Sequence, residues 1–183
     1  GVETIHGMMG ASLGDDLKDI KETVTSFKKA LFGEAMRYTI SASKYNRVAF
    51  LKEIEGQIIG GNLSILASML GSDSQLNTSG KILFIEEIGE YKYSMDRMLQ
   101  SLKRAGYFTK ATAVVVGNMS RVKKNSTAWG SSIEQLILEV LPEGIPVLFD
   151  FPAGHELDNR ALIFGRKVEL TINNQESSII FKK

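Results

Sequence analysis

Apolar and polar positions along the chain form blocks that predict strands and helices in alternation. Short apolar runs at 82–85, 113–116 and 147–149 predict buried strands, and apolar residues spaced three or four positions apart predict helices around them. Strands and helices that alternate along one chain are typical of an α/β fold. The pattern therefore predicts a single mixed α/β domain, in which short strands alternate with about four helices.

Local signals mark the ends of the first and last predicted helices. Asp15 or Asp16 suits the start of the first helix, which runs to Leu31, because a carboxylate accepts hydrogen bonds from free backbone N–H groups. Ser131 and Glu134 predict a capping box that opens the last helix. We expect the first helix to bury its apolar side chains, which are Leu17, Ile20, Val24, Phe27 and Leu31.

Further strands are predicted near both ends of the chain. The segments at 2–6, 37–40 and 57–59 have strand-like composition. The tail from 161 to 181 alternates like a pair of strands, and Asn173 and Asn174 form a plausible turn between them.

Composition narrows the classes of function. At ~150 residues per domain, a chain of 183 residues predicts one domain. The 22 Lys and Arg residues balance 21 Asp and Glu residues, so the chain lacks the basic excess of most nucleic-acid binders. The absence of cysteine excludes disulfides, Cys-ligated zinc and thiol catalysis, and two histidines are too few for a His-rich metal site. We therefore expect no cofactor and no nucleic-acid partner.

The apolar runs also bear on membrane binding. A membrane-spanning helix needs ~20 apolar residues, and the longest runs of this chain are far shorter. We expect no membrane partner.

Two positions that follow predicted strands carry candidate chemistry. Glu86 and Glu87 follow the run at 82–85, and in a continuing strand their side chains point to opposite faces, one to a cleft and one to solvent. His155 lies in a loop with Pro152 and Gly154, where it can reach into a cleft and act as a general base. The alternatives are two exposed strand-end charges and a loop histidine that only bonds the backbone.

A Glu and a His at separate strand ends suggest two members of a Ser-His-acid triad. The G-x-S-x-G pattern at 10–14 supplies one candidate nucleophile, Ser12, and the order Ser12, Glu86, His155 is that of the α/β-hydrolases. However, such a nucleophile needs a strand-to-helix turn, and the segment 7–12 has poor strand character. Ser12 is therefore a weak candidate.

Gly60, Gly61 and Asn62 directly precede the predicted second helix. Free backbone N–H groups at a helix start can bind an anion such as a substrate carboxylate. The commoner meaning is a tight turn and a helix cap, for which Asn62 is well suited. Gly61 and Asn62 are candidate substrate-binding residues on the first interpretation.

Five motifs follow one another along the chain, at 60–64, 80–90, 93–99, 114–117 and 146–155. In this order they resemble the C-terminal half of the LD-carboxypeptidase family. His6 and Gly7 resemble the family's His-Gly-Pro at the domain junction, although Met8 replaces the proline. Asn159 follows the last motif at the family's spacing. The resemblance spans about residues 4–172.

The resemblance implies a two-domain cytoplasmic serine peptidase, commonly a homodimer, that removes the terminal D-alanine from muropeptide tetrapeptides in cell-wall recycling. In the family's Ser-Glu-His triad, the Glu matches Glu86 and the His matches His155, with Glu87 as second choice for the acid. The Ser lies in the N-terminal domain. We therefore expect residues 1–183 to be the C-terminal domain, of the swivelling β/β/α type, and to be inactive without that domain.

Two alternatives stay open. One is a peptidase of the same family that confers immunity to microcin-type peptide–nucleotide antibiotics, with the same triad and a different substrate pocket. The other is a non-catalytic domain for regulation or dimerisation. The motifs also leave open whether lysine or diaminopimelate precedes the D-alanine.

Overall fold

The computed structural model describes residues 2–10, 16, 18, 20–48, 53–124, 126–127 and 130–182. Within these residues the chain forms nine strands and five helices. The strands are β1 (Thr4–His6), β2 (Arg37–Ser41), β3 (Ile54–Asn62), β4 (Ile82–Ile88), β5 (Ala113–Ser120), β6 (Val147–Leu148), β7 (Leu162–Phe164), β8 (Lys167–Thr171) and β9 (Glu176–Phe181). The helices are α1 (Lys21–Leu31), α2 (Leu63–Ser68), α3 (Lys92–Arg104), α4 (Tyr107–Lys110) and α5 (Ile133–Val140).

Seven of the strands form one mixed sheet, in the order β2-β9-β8-β3-β4-β5-β6. Strands β3, β4, β5 and β6 are parallel neighbours, whereas β2, β9, β8 and β3 pair antiparallel. Strands β1 and β7 form a separate antiparallel pair. The prediction of a single mixed α/β domain is confirmed. Because β3, β4 and β5 are parallel, their carboxyl ends meet at one edge, which is where open α/β sheets bind ligands.

The parallel strands bury side chains on both faces, which gives the domain two hydrophobic cores. In β4, Ile82 and Phe84 belong to one core, while Leu83 and Ile85 belong to the other. The first core includes residues of α1 and β7, and the second includes residues of α2, α3, α4 and α5. Strands whose two faces are both covered appear in the sequence as continuous apolar runs, as the run at 82–85 does.

The first helix differs from the prediction in its start and in its buried face. It begins at Lys21 rather than near Asp16. Leu31, expected on the buried face, is 57% exposed. Two other expected positions, Asp15 and Leu17, lie outside the described residues. Two expected positions agree with the prediction, since Ile20 is buried and Phe27 packs against the first core. The helix also buries Thr23, Ser26 and Ala30, and the hydroxyls of Thr23 and Ser26 bond the backbone of a neighbouring loop.

The capping box of the last helix is shifted by one residue. The Ser132 side chain accepts a hydrogen bond from the Gln135 backbone N–H at 3.2 Å, and the Gln135 side chain accepts one from the Ser132 N–H at 2.7 Å. The predicted pair, Ser131 and Glu134, has the same spacing, but the Ser131 carbonyl accepts from Lys92 Nζ instead. Two adjacent pairs satisfied the pattern, and tertiary contacts selected one of them.

One helix was not predicted. Helix α4 has four residues, which are too few to show helical spacing. Its Tyr107 and Phe108 are both buried in the second core. The strand pair predicted in the tail is present as the β8–β9 hairpin, with Asn173 and Asn174 between its strands.

Candidate active site

A cavity of about 580 Å³ opens at the carboxyl ends of β3, β4 and β5. It is bounded by these strand ends, by the segment after β1, by the start of α1 and by the loop at 154–159. Both histidines of the chain lie on its wall. The lining residues with polar side chains include His6, Thr23, Asn62, Glu86, Arg121 and His155.

Glu86 and His155 form a hydrogen-bonded pair at this cavity. His155 Nδ1 lies 2.9 Å from Glu86 Oε2, although the two residues are 69 positions apart in the sequence. The Glu86 side chain is 1% exposed and the His155 side chain is 35% exposed. When Nδ1–H donates to the ionised carboxylate, Nε2 is left as a proton acceptor. The pair therefore has the arrangement of an acid that orients a general base.

The environment of Glu86 makes its charge costly. Burial raises the pKa of the Glu86 carboxyl, and the hydrogen bond with His155 opposes that rise. An ionised carboxylate in such a place favours a protonated imidazole beside it. Glu86 can therefore stabilise a positive charge that develops on His155.

Glu86 and Glu87 point to opposite faces of the sheet because β4 continues through both residues to Ile88. The expectation that one of the two faces solvent is wrong, since Glu87 is 3% exposed. The Glu87 carboxylate accepts hydrogen bonds from Asn62 Nδ2 at 2.9 Å, Ile88 N–H at 2.8 Å, and the N–H and hydroxyl of Ser64 at 2.8 and 2.6 Å. Glu87 thus anchors the start of α2, and Glu86 is the carboxylate that contacts the histidine.

The two candidate substrate-binding residues have different positions. Asn62 lines the cavity and caps α2 by accepting a hydrogen bond from the Ile65 N–H at 3.3 Å. Gly61 is not among the residues that line the cavity. Its neighbour Gly60 has a strict steric role, because a Cβ there would lie 1.9 Å from the Phe84 carbonyl oxygen. Gly60 therefore lets β3 pass close to β4, and the strand register places Asn62 beside Glu86.

The loop that carries His155 is held by α1. The Asn159 N–H donates to Thr23 Oγ1 at 2.7 Å, and that hydroxyl donates to the Leu157 carbonyl at 2.6 Å. The Asn159 side chain accepts from the Gly154 N–H at 3.1 Å, which closes the loop on itself. Sequence reasoning missed Thr23 because it searched α1 for apolar spacing. The available signal was a row of small residues, Thr23, Ser26 and Ala30, on one helix face.

His6 is a second histidine at the same cavity. Its ring packs against Phe84 and Phe164, with centroid distances of 5.3 and 5.5 Å. Burial, together with the charge of His155, lowers the pKa of His6 to about 4. His6 Nε2 is buried and has no hydrogen-bond partner among the described residues. His6 is therefore neutral near pH 7 and a weak base, whereas His155 is the histidine that a carboxylate orients.

The described part of the cavity wall offers no free nucleophile. Thr23 carries the one hydroxyl among the lining residues that the structure describes, and it is already engaged in the hydrogen bonds of the 154–159 loop. Ser12, the weak candidate, lies outside the described residues.

Two further properties concern metals and membranes. Over the ranges that the structure describes, no three His, Asp or Glu side chains are grouped so that they could hold a metal ion. None of the helices in those ranges combines the length and the apolar character needed to cross a bilayer.

The sequence is similar to known peptidases. A family model for the LD-carboxypeptidase C-terminal domain matches residues 55–170. The chain is 33% identical to a probable murein peptide carboxypeptidase of Bacillus subtilis, over 100% of the chain and 56% of that protein. It is 31% identical to the murein tetrapeptide carboxypeptidase of Pseudomonas aeruginosa, over 67% of the chain and 40% of that protein. It is 30% identical to the microcin C7 self-immunity protein of Escherichia coli, over 69% of the chain and 37% of that protein.

The fold is similar to that of a solved peptidase. The crystal structure of muramoyltetrapeptide carboxypeptidase from Oxalobacter formigenes matches with a TM-score of 0.87 and 26% identity, over 100% of this chain and 62% of that one. This likeness confirms the α/β fold that the resemblance implied. The chain spans about half the length of the curated relatives that it matches.

Proposed function

Because this chain belongs to the LD-carboxypeptidase family, we propose that it is the C-terminal domain of a serine-type LD-carboxypeptidase. The whole protein removes the terminal D-alanine from muropeptide tetrapeptides, in the cytoplasm, during peptidoglycan recycling. The names of the relatives from B. subtilis and P. aeruginosa support the murein peptide as substrate. The greater length of these relatives supports a second domain, which in this proposal carries the serine.

The observation that carries the proposal is the Glu86–His155 pair. A buried carboxylate bonded at 2.9 Å to a half-buried imidazole lies at the wall of a cavity large enough for a short peptide. The family's triad needs a serine to complete this pair, and the described cavity wall has no free hydroxyl. A nucleophile from a neighbouring domain is the simplest way to complete the site.

In the proposed mechanism, His155 Nε2 takes the proton of the serine hydroxyl as the serine oxygen attacks the scissile carbonyl carbon. Glu86 holds the Nδ1–H and stabilises the imidazolium. The tetrahedral intermediate collapses when His155 donates the proton to the D-alanine nitrogen, which breaks the peptide bond and leaves an acyl-enzyme. Water, deprotonated by His155, then hydrolyses the acyl group and restores the serine.

Asn62 is the side chain that we assign to substrate binding, because it lines the cavity next to Glu86. The role of Gly61 in this proposal is indirect: its backbone brings Asn62 to the cavity. We also propose a homodimer, as the family resemblance implies.

Mass spectrometry of a muropeptide tetrapeptide tests the proposal. The tetrapeptide is incubated with the 183-residue chain and, separately, with the protein that includes the upstream domain. We expect D-alanine release by the longer protein alone. Release by the 183-residue chain would contradict the proposal that the nucleophile lies upstream and would point to Ser12. No release by either protein would contradict the carboxypeptidase function and favour an immunity peptidase or a non-catalytic domain.

The identity to the microcin C7 self-immunity protein supports a second candidate, an immunity peptidase with the same triad. The two candidates differ in the substrate pocket rather than in Glu86 and His155. The two candidates are separated by the kcat/KM of the longer protein for two substrates. One substrate is a muropeptide tetrapeptide and the other is an aminoacyl sulfamoyl adenosine. A higher value for the nucleotide compound selects the immunity peptidase.

A further inference from the structure

Arg121 has an unusual backbone conformation at the edge of the cavity. Its φ is 49°, and among the described residues only Asp150 shares a positive φ without being glycine. Aspartate visits this left-handed region fairly readily because its short polar side chain bonds locally, whereas a long side chain such as arginine does so rarely. Strained backbone of this kind concentrates at functional sites. The positive φ of Asp150 is therefore explained by its residue type, whereas the positive φ of Arg121 is not.

The end of β4 holds Arg121 in this conformation from both sides. The Gly89 N–H donates to the Ser120 carbonyl at 3.0 Å, directly before Arg121. The Lys123 N–H donates to the Glu90 carbonyl at 2.9 Å, just after it. These two hydrogen bonds fix the chain on either side of Arg121 and Val122, so the position of Arg121 at the cavity is set by its pairing with the segment after β4.

The charge of Arg121 has no protein partner in the described part of the chain. Two other arginines are paired: Arg160 contacts Asp158 at 2.9 Å and Arg166 contacts Glu3 at 2.6 Å. No hydrogen bond or ion pair from a described residue reaches the Arg121 side chain, although it lines the same cavity as His155. The carboxylate of Glu86 in that cavity is already bonded to His155. A guanidinium in this position is available for a negatively charged ligand.

We propose that Arg121 binds a carboxylate of the peptide substrate and thereby selects where the peptide is cut. The inference rests on the proposed function and names the group that the site recognises. A guanidinium matches a carboxylate through two parallel hydrogen bonds, which fix orientation as well as charge. Two carboxylates can meet it: the C-terminal carboxylate of the D-alanine, or the side-chain carboxylate of a diaminopimelate residue before it. The terminal carboxylate is our assignment, because every substrate of a carboxypeptidase has one.

Ligand binding to the 183-residue chain tests the inference without any turnover. The probes are N-acetyl-L-lysyl-D-alanine and its C-terminal amide, titrated by NMR into the unaltered chain, Arg121→Ala, Arg121→Lys and Lys124→Ala. We expect the unaltered chain to bind the acid about tenfold more tightly than the amide. Arg121→Ala loses this preference and Arg121→Lys keeps part of it. Lys124→Ala, a matched control that removes an exposed cation three residues away, retains it in full.

A second titration distinguishes the two sources of the carboxylate. It uses the same dipeptides with diaminopimelate in place of lysine. If Arg121→Ala weakens only the diaminopimelate ligands, and does so for acid and amide alike, Arg121 binds the side-chain carboxylate. Equal binding of acid and amide by the unaltered chain in both series overturns the assignment to the terminal carboxylate. An Arg121→Ala variant with unchanged affinities for all four ligands overturns the inference as a whole.

Kinetics of the longer protein separate this inference from the proposed function. If the unaltered protein releases D-alanine, we expect Arg121→Ala to raise KM about tenfold for the tetrapeptide and to change kcat less. If the unaltered protein releases none, the proposed function fails, and the dipeptide titrations still decide whether Arg121 binds a carboxylate.

Discussion

Glu86 and Glu87 are adjacent, identical and almost completely buried, yet their hydrogen-bond partners on the two faces of β4 differ. On one side, Glu86 meets a single titratable partner, His155, at the wall of a cavity. On the other side, Glu87 accepts four hydrogen bonds from groups that do not titrate near neutrality. A buried charge whose lone pairs are all satisfied stabilises a structure, whereas one that shares its charge with a histidine can serve proton transfer. The surroundings of the carboxylate, rather than its burial, distinguish the two roles.

Glu86→Gln tests the chemical side of this comparison. We expect kcat of the longer protein for D-alanine release to fall by about 10³–10⁴, because an amide neither fixes the His155 tautomer nor stabilises the imidazolium. The free energy of unfolding should change little, since Gln has the size of Glu and one partner to satisfy. Steady-state kinetics and thermal unfolding of the same sample measure the two effects. A near-normal kcat would remove Glu86 from the proposed triad.

Glu87→Gln is the matched variant on the structural side. Its amide NH₂ would replace one of the two oxygens and face either the donors of Ser64 or those of Asn62 and Ile88, so hydrogen bonds that the carboxylate accepts are lost. We expect the free energy of unfolding to fall by about 2–3 kcal/mol, as measured by urea denaturation. At a temperature where the variant is folded, kcat should fall far less than in Glu86→Gln. Equal losses of kcat in the two variants would contradict the comparison.

His6, on the Glu86 side of β4, makes the free energy of unfolding depend on pH. Its pKa falls from 6.5 to about 4 on folding, so the unfolded chain binds a proton in that range and the folded chain does not. The contribution of neutral His6 to the free energy of unfolding is therefore fully present above pH 6.5, and it is lost as the pH falls through about 4. We expect His6→Phe to gain about 3 kcal/mol relative to the unaltered chain between neutral pH and pH 4.

Urea denaturation at several pH values measures this gain. His6→Gln, which also lacks a titrating group but does not restore an aromatic ring, should show the same pH trend with a lower overall stability. A constant difference between His6→Phe and the unaltered chain across this pH range would show that His6 does not titrate as expected. Because the charge of His155 contributes to the lowered pKa of His6, the difference between the proteins includes the interaction of the two histidines.

Thr23→Val gives the smallest expected effect. Valine keeps the shape of threonine but leaves the Leu157 carbonyl and the Asn159 N–H without their hydroxyl partner. We expect a loss of about 1 kcal/mol in the free energy of unfolding. The 154–159 loop should also loosen, which hydrogen exchange of its amides can detect. Thr25→Val, at an exposed position of the same helix, is the control and should change neither quantity.

Much of the fold could be predicted from local patterns. The continuous apolar runs at 82–85 and 113–116 correctly predicted buried strands, because strands covered on both faces are apolar throughout. Asn62 was correctly predicted as a helix cap, since capping depends on neighbours three residues away. The errors arose where distant parts of the chain decide. The face that α1 buries depends on the 154–159 loop, more than 120 residues later, with which Thr23 forms its hydrogen bonds.

The sequence by itself determined which residues could carry chemistry. It contains two histidines and no cysteine, and Glu86 and His155 each follow an apolar strand, where open α/β sheets present their ligands. Only the tertiary structure decided that Glu86 rather than Glu87 contacts His155, and that Arg121 joins them at one cavity. The physical reason is that side-chain alternation assigns two neighbours to opposite faces without saying what covers each face. That depends on where α1, α2 and the 154–159 loop pack, which is a property of long-range contacts.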